Sequence, residues 1–118
     1  MQIPMQITFR GMDPSPAVEE RVRSEVAKLE TYSDRITGCH VVVEKAQHRH
    51  QQGDLFHVRV DLTMPGAELV VKRDPAERRS HEDVYVAVRD SFDAARRQVM
   101  DYIRRIRDQA RQEPAGRG

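Results

Sequence analysis

Hydrophobic and polar residues follow two rhythms along this chain, and the order of the rhythms predicts its elements. From Met5 to Arg10 the period is two: Met5, Ile7 and Phe9 fall on one face and Gln6, Thr8 and Arg10 on the other, until Gly11 ends the run. That pattern marks a strand with one buried and one wet face. Asp13-Pro14-Ser15-Pro16 follows as a turn, with Ser15 placed to cap a helix and Pro16 at its first position, where a missing N–H is harmless. The spacing then changes to four and three, and Val18, Val22, Val26 and Leu29 make the apolar stripe of a helix reaching Tyr32. Arg21 and Lys28, seven residues apart, share one exposed stripe of that helix, with Glu25 between them able to pair with either. β-Branched residues fill Ile36 to Gln47, and the polar stretch 48–54 predicts a hairpin loop. From Leu55 to Thr63 the period is two again, with Phe56, Val58, Val60 and Leu62 alternating with His57, Arg59, Asp61 and Thr63. Met64-Pro65-Gly66-Ala67 suits a type II turn that returns the chain as a strand from Glu68 to Lys72. A connection over 74–82 leads to the longest periodic segment, Asp83 to Arg111, with Ser80 or Asp83 as its cap.

The order is β-α-β-β-β-α, which predicts the α+β class and a two-layer sandwich. Strand one pairs in parallel with its neighbour through a helical crossover, strands two to four zigzag antiparallel, and both helices cover one face of a four-stranded mixed sheet. At 118 residues the chain is one domain, expected over 1–111, with 112–118 as a flexible C-terminal tail.

Charge changes the picture most in the last helix. At ~100° per residue, Val84, Val88, Phe92, Ala95, Val99, Ile103, Ile106 and Ala110 share one side and are expected to face inward. Arg89, Arg96, Arg97, Arg104, Arg107 and Arg111 share an arc of roughly 100° beside that stripe, interrupted only by Asp93. Asp90, Asp101 and Asp108 sit past its far edge. From Arg89 to Arg111 there are seven arginines against four aspartates, a net +3, which leaves −2 for the rest of a chain whose total is +1. The basic character is therefore local, and it lies along a rod about 33 Å long, a better match to a polyanionic surface than to a small ligand. The plainer expectation for such a face is a solvated surface of ion pairs such as Asp93 with Arg97, Asp101 with Arg105, and neighbours of the Arg89–Asp90 kind.

Other chemistries find little support. The single Cys39, among valines, reads as a small buried residue and excludes an internal disulfide framework. No apolar run is long enough to span a bilayer, and the opening MQIPMQITFRG lacks the layout of a signal peptide, so a cytoplasmic protein is expected. His48 and His50 flank Arg49 in a loop, but with no cysteine nearby and His57 on the wet strand face, no metal is expected. His40 and His81 lack evident partners, and Tyr32, Tyr85 and Tyr102 read as half-buried edge residues. No nucleophile-and-base pair, glycine-rich phosphate loop or cofactor motif is present, so neither an enzyme, a cofactor nor a small-molecule substrate is expected. Aromatic residues at 5% argue against a single-strand reader that stacks bases on rings.

Four strings carry a resemblance: ITFRGMDPSPAVEERV, KLETYSDRI at the end of helix one, VVVEKAQH in strand two, and EDVYVAVRDSFDAARRQV opening helix two. Together they resemble the short ribosome-hibernation factors, the hibernation promoting factor and ribosome-associated inhibitor A family, over roughly residues 5 to 108. The resemblance implies a sandwich like the double-stranded-RNA-binding domain. It implies binding to the small ribosomal subunit between head and body, where mRNA and tRNAs would lie, and so the silencing of idle ribosomes. It also implies that basic residues of both helices meet rRNA phosphates, here Arg21 and Lys28 on helix one and Arg89, Arg96, Arg97, Arg104, Arg107 and Arg111 on helix two. Where this chain has Tyr102, Arg104 and Arg105, family members often carry lysines, which preserves charge but changes geometry. Long members add a ribosome-dimerising domain, and this chain resembles the short class. One branch of that class needs a small partner protein to assemble ribosome dimers and another has a C-terminal tail that blocks dimerisation; the seven-residue tail here is closer to the first. The rival reading is a protein-interaction module that uses the open sheet face, with Val42 and Val70 outward, or an exposed edge strand.

Overall fold

The computed structural model describes residues 3–46, 55–72 and 83–112, and within them the elements follow the expected order. They are β1 (Met5–Arg10), α1 (Pro16–Glu30), β2 (Gly38–Ala46), β3 (Leu55–Met64), β4 (Ala67–Lys72) and α2 (Val84–Gln112). The sheet order is β1-β2-β3-β4, with β1 parallel to β2 and the other pairs antiparallel. The expected hairpin loop over 48–54, the connection over 74–82 with Ser80, and the end of the tail lie outside the described residues.

Local chemistry accounts for each boundary. Ser15 caps α1, its Oγ accepting from the Val18 N–H at 3.2 Å, with Pro16 opening the helix. Asp83 caps α2, its Oδ1 accepting from the Tyr85 N–H at 2.8 Å. Pro65 and Gly66 join β3 to β4 with Gly66 at φ +78°, the value a type II turn requires at its third residue. Ile36, expected in a strand, is buried two residues ahead of β2.

The core lies between the inner sheet face and the two helices. Val41, Val43, Val58, Val60, Leu62 and Val71 meet Val18, Val22, Val26 and Leu29 from α1, and Ala87, Val88, Phe92, Ala95 and Val99 from α2. Three valines spaced by four in α1 are poor helix formers, so that helix depends on burial rather than on intrinsic preference. Buried Ser91 ties α2 to the sheet, its Oγ donating to the Val58 carbonyl at 3.4 Å.

The inward stripe of α2 ends earlier than its periodicity predicts. Val88, Phe92, Ala95 and Val99 are buried, Val84, Ile103 and Ile106 are half-buried, and Ala110 is exposed. A 29-residue helix is about 43 Å long, more than the sheet beneath it can cover.

Gly11 and Gly66 both hold positive φ, but a Cβ on Gly11 would lie 2.5 Å from the Lys45 carbonyl oxygen, whereas one on Gly66 would meet nothing within 4 Å. Gly66→Ala should therefore destabilise by the backbone term alone, about 1 kcal/mol, and Gly11→Ala by roughly 2 kcal/mol more because β2 must move. Urea midpoints at unchanged slope measure the difference.

Candidate nucleic-acid interface

Topology sets the two helices side by side and pointing the same way. β4 runs parallel to β1 by the register of the sheet, α1 runs back against β1 and α2 lies across β3 and β4. The Arg96 guanidinium consequently lies over the Tyr32 ring at the end of α1, 5.6 Å from its centroid. Tyr32 is 44% exposed and Tyr85 38%, so neither is the half-buried edge residue the sequence suggests; Tyr102 alone is.

Between the helices runs a groove of about 190 Å³, lined by Arg21, Glu25, Lys28, Leu29 and Tyr32 from the α1 side and by Arg89, Phe92, Asp93 and Arg96 from α2. Leu29 and Phe92 form its apolar floor and belong to the core. Four of the eight candidate residues, Arg21, Lys28, Arg89 and Arg96, thus converge on one seam from two helices. Its volume is below the roughly 300 Å³ usual for a small-molecule site. Arg97 is exposed on α2 outside the groove. Arg104, Arg107 and Arg111 lie farther along the same helix, on turns that run past the end of α1.

The neighbour pair Arg89–Asp90 forms as expected, while the other two aspartates choose different partners. Asp93 lies 4.0 Å from Arg96 and Asp101 3.7 Å from Arg104, both at i,i+3 rather than with Arg97 and Arg105. Arg89 pairs with its neighbour Asp90 at 3.2 Å. Among the described residues, Arg97, Arg107 and Arg111 have no ion-pair partner. On α1, Glu25 holds Arg21 at 3.3 Å and Lys28 at 3.7 Å, serving both rather than one. Glu25 is buried, and sequence spacing gave its neighbours but no hint of its depth.

The opposite sheet face is mixed. Val70 stands across from Asp61 and Val42 across from Arg59, on strands separated by β3, so the two valines form no continuous apolar patch. Asp61 also pairs with Arg59 at 2.9 Å, and that hydrogen bond raises the guanidinium further above its ordinary value. His40 is half-buried with its Nε2 2.9 Å from the Thr8 Oγ1, so it has the partner the sequence does not disclose. A recess of about 420 Å³ between Ile3–Met5 and α1 brings one Arg23 near one Glu30, and Glu30 already accepts from the Ile3 N–H at 2.7 Å. No group of three metal-ligating side chains occurs among the described residues, and none of their helices is long and apolar enough to cross a membrane.

A mixed four-stranded sheet under two parallel helices with a cationic seam defines the class. The chain belongs to the Sigma 54 modulation protein / S30EA ribosomal protein family, whose model matches residues 5–107. It is similar to the ribosome hibernation promoting factor of Azotobacter vinelandii, 29% identical over 116 residues covering 94% of this chain and 95% of the relative. That of Acinetobacter guillouiae is 28% identical over 101 residues, covering 80% and 84%. Two solved structures share the fold. A ribosomal subunit interface protein from Coxiella burnetii superposes with TM-score 0.67 at 19% identity, covering 85% of this chain and 97% of that one. The N-terminal domain of Thermus thermophilus Protein Y superposes with TM-score 0.61 at 20% identity, covering 86% and 99%.

The one thiol is not placed for chemistry. Burial, assisted by the charge of Asp61, pushes the Cys39 thiol from its ordinary 9.0 up to about 12. In that window the unfolded chain releases the proton while the folded chain keeps it, so stability is unaffected below pH 9 and falls as pH rises toward 12. Urea midpoints measured upward from pH 8 should decline more steeply for the wild type than for Cys39→Ala. At pH 8 a thiol-alkylating reagent should modify the unfolded protein and spare the folded one.

Proposed function

We propose that this protein binds the small ribosomal subunit in the channel of mRNA and tRNA, and inhibits translation there by occupying space. The observation that carries the reading is the convergence of Arg21, Lys28, Arg89 and Arg96 on one groove, continued along α2 by Arg97, Arg104, Arg107 and Arg111. Guanidinium forks grip phosphate oxygens in pairs, and a groove plus a rod of such groups recognises a folded RNA by the positions of its phosphates, without reading bases. The hibernation-factor relatives support the ribosome as the partner. On this reading the protein is cytoplasmic and works without cofactor or catalysis. The scattered valines of the outer sheet face give a protein-interaction module less to work with.

Arg97 and Arg104 are exposed, so reversing both charges leaves the core untouched. Wild-type protein should co-sediment with bacterial 70S ribosomes through a sucrose gradient at low salt and dissociate at high salt, because each neutralised phosphate releases counterions. Arg97→Glu/Arg104→Glu should lose co-sedimentation at moderate salt, and its salt slope should fall by about two contacts. Retention of binding by the double variant would put the interface elsewhere.

A further inference from the structure

The groove contains a buried carboxylate that works against its apparent purpose. The Glu25 side chain is 6% exposed, and its Oε2 lies 3.3 Å from the Arg21 Nε and 3.7 Å from the Lys28 Nζ. With Arg89, Arg96 and Asp93 on the facing helix, the groove sets four cations against two carboxylates. A carboxylate there repels every phosphate that approaches. Stability does not call for it either, since its partners Arg21 and Lys28 are 37% and 67% exposed and ion pairs to such side chains add little. What Glu25 supplies is position. Arg and Lys side chains are rotamer-rich, and one carboxylate oxygen, hydrogen-bonded to Arg21 and ion-paired with Lys28, restrains both over the seam.

Resting on the small-subunit reading above, we infer that Glu25 sets which RNA the groove accepts. A folded RNA presents phosphates at fixed places, so it gains from cations already held in place and loses little to the extra negative charge. A flexible single strand moves its own phosphates to wherever positive charge is densest, so it gains nothing from order and feels only the reduced charge. One residue therefore favours the rigid ligand and disfavours the flexible one. This also explains how a strongly basic helix face coexists with a selective binder.

The test compares affinities for purified small ribosomal subunits and for polyuridylate, at low and moderate salt, among wild type, Glu25→Gln and Glu25→Asp, with urea midpoints confirming the fold. Glu25→Gln keeps the shape and a carbonyl acceptor for Arg21 but removes the charge. It should bind polyuridylate about five-fold tighter at low salt without gaining on the subunit, so that preference falls by a similar factor. Glu25→Asp keeps the charge but is one methylene short, so polyuridylate binding should match wild type while subunit binding weakens. Equal tightening on both ligands by Glu25→Gln, or no change on either, overturns the inference, as does wild-type subunit affinity in Glu25→Asp should Glu25→Gln not fold. A wild type with no preference for the subunit over polyuridylate overturns the functional reading itself, whereas a wild-type preference kept in Glu25→Gln removes only the role of Glu25.

Discussion

Everything in this molecule follows from the need to cover one apolar face of a four-stranded sheet. That face is wider than a single helix, since strands lie ~4.8 Å apart and a helix with its side chains is about 10 Å across. Two helices are required, and the parallel pairing of β1 with β2 makes α1 a crossover that runs back along the sheet. The antiparallel steps through β3 and β4 then bring α2 down beside it in the same direction. Two cylinders on a plane leave a seam. Its floor is closed by Leu29 and Phe92, which the core needs, and its rim is left to whatever residues follow them on the two wheels. Here those are mostly cations, so the candidate site is the outer surface of the same contact that holds the fold together.

The fold was legible because periodicity reports burial directly. The alternation of Phe56 to Leu62 and the four-residue steps of Val18 to Val26 each require one face to be dry, and the capping chemistry of Ser15 and the Pro65-Gly66 turn fixed where the faces change. Half of the candidate site was legible for the same reason: the wheel of α2 put Arg89 and Arg96 beside its apolar stripe, the flank where a second helix has to lie. Periodicity cannot report where a partner stops. Ile106 and Ala110 continue the stripe of Val88 and Val99 without a break, yet the first is half-buried and the second exposed, because sheet and α1 have ended. Nor does spacing reveal depth, so Glu25 looked like an ordinary surface partner of Arg21, and the contacts of His40 with Thr8 and of Arg96 with Tyr32 join residues far apart in sequence.

Electrostatics divides the arginines into two groups. Those in or near the seam are committed: Arg21 and Lys28 share Glu25, and Arg96 has both Asp93 and the Tyr32 ring. Arg97, Arg107 and Arg111 have no ion-pair partner among the described residues. The Arg104–Asp101 pair is exposed and contributes little to folding, so a polyanion can displace that aspartate at small loss, whereas displacing the buried Glu25 would leave a carboxylate stranded in the seam. On the proposed reading, the seam keeps its geometry on binding, and Arg97, Arg107 and Arg111 meet the polyanion without first giving up an ion pair.

The two helices are stabilised by opposite means, which gives the surface two kinds of order. In α1, valines at 18, 22 and 26 oppose helix formation and are offset by complete burial, so α1 exists only where the core exists. Beyond Val99, α2 has no fully buried residue among those described, and eight of the thirteen residues from Met100 to Gln112 are Arg, Gln, Met or Ala, which favour helix without help from packing. Val99 is the last fully buried residue of α2 among those described, so the twelve residues that follow it to Arg111 carry the helix about 18 Å with only partial packing beneath. Such an overhang holds its shape by local preference and opens at far lower free energy than the core. On the reading proposed above, the seam is the part that positions a structured polyanion, and the arm carrying Arg104, Arg107 and Arg111 adds contacts to it, with its ordering cost confined to a few turns.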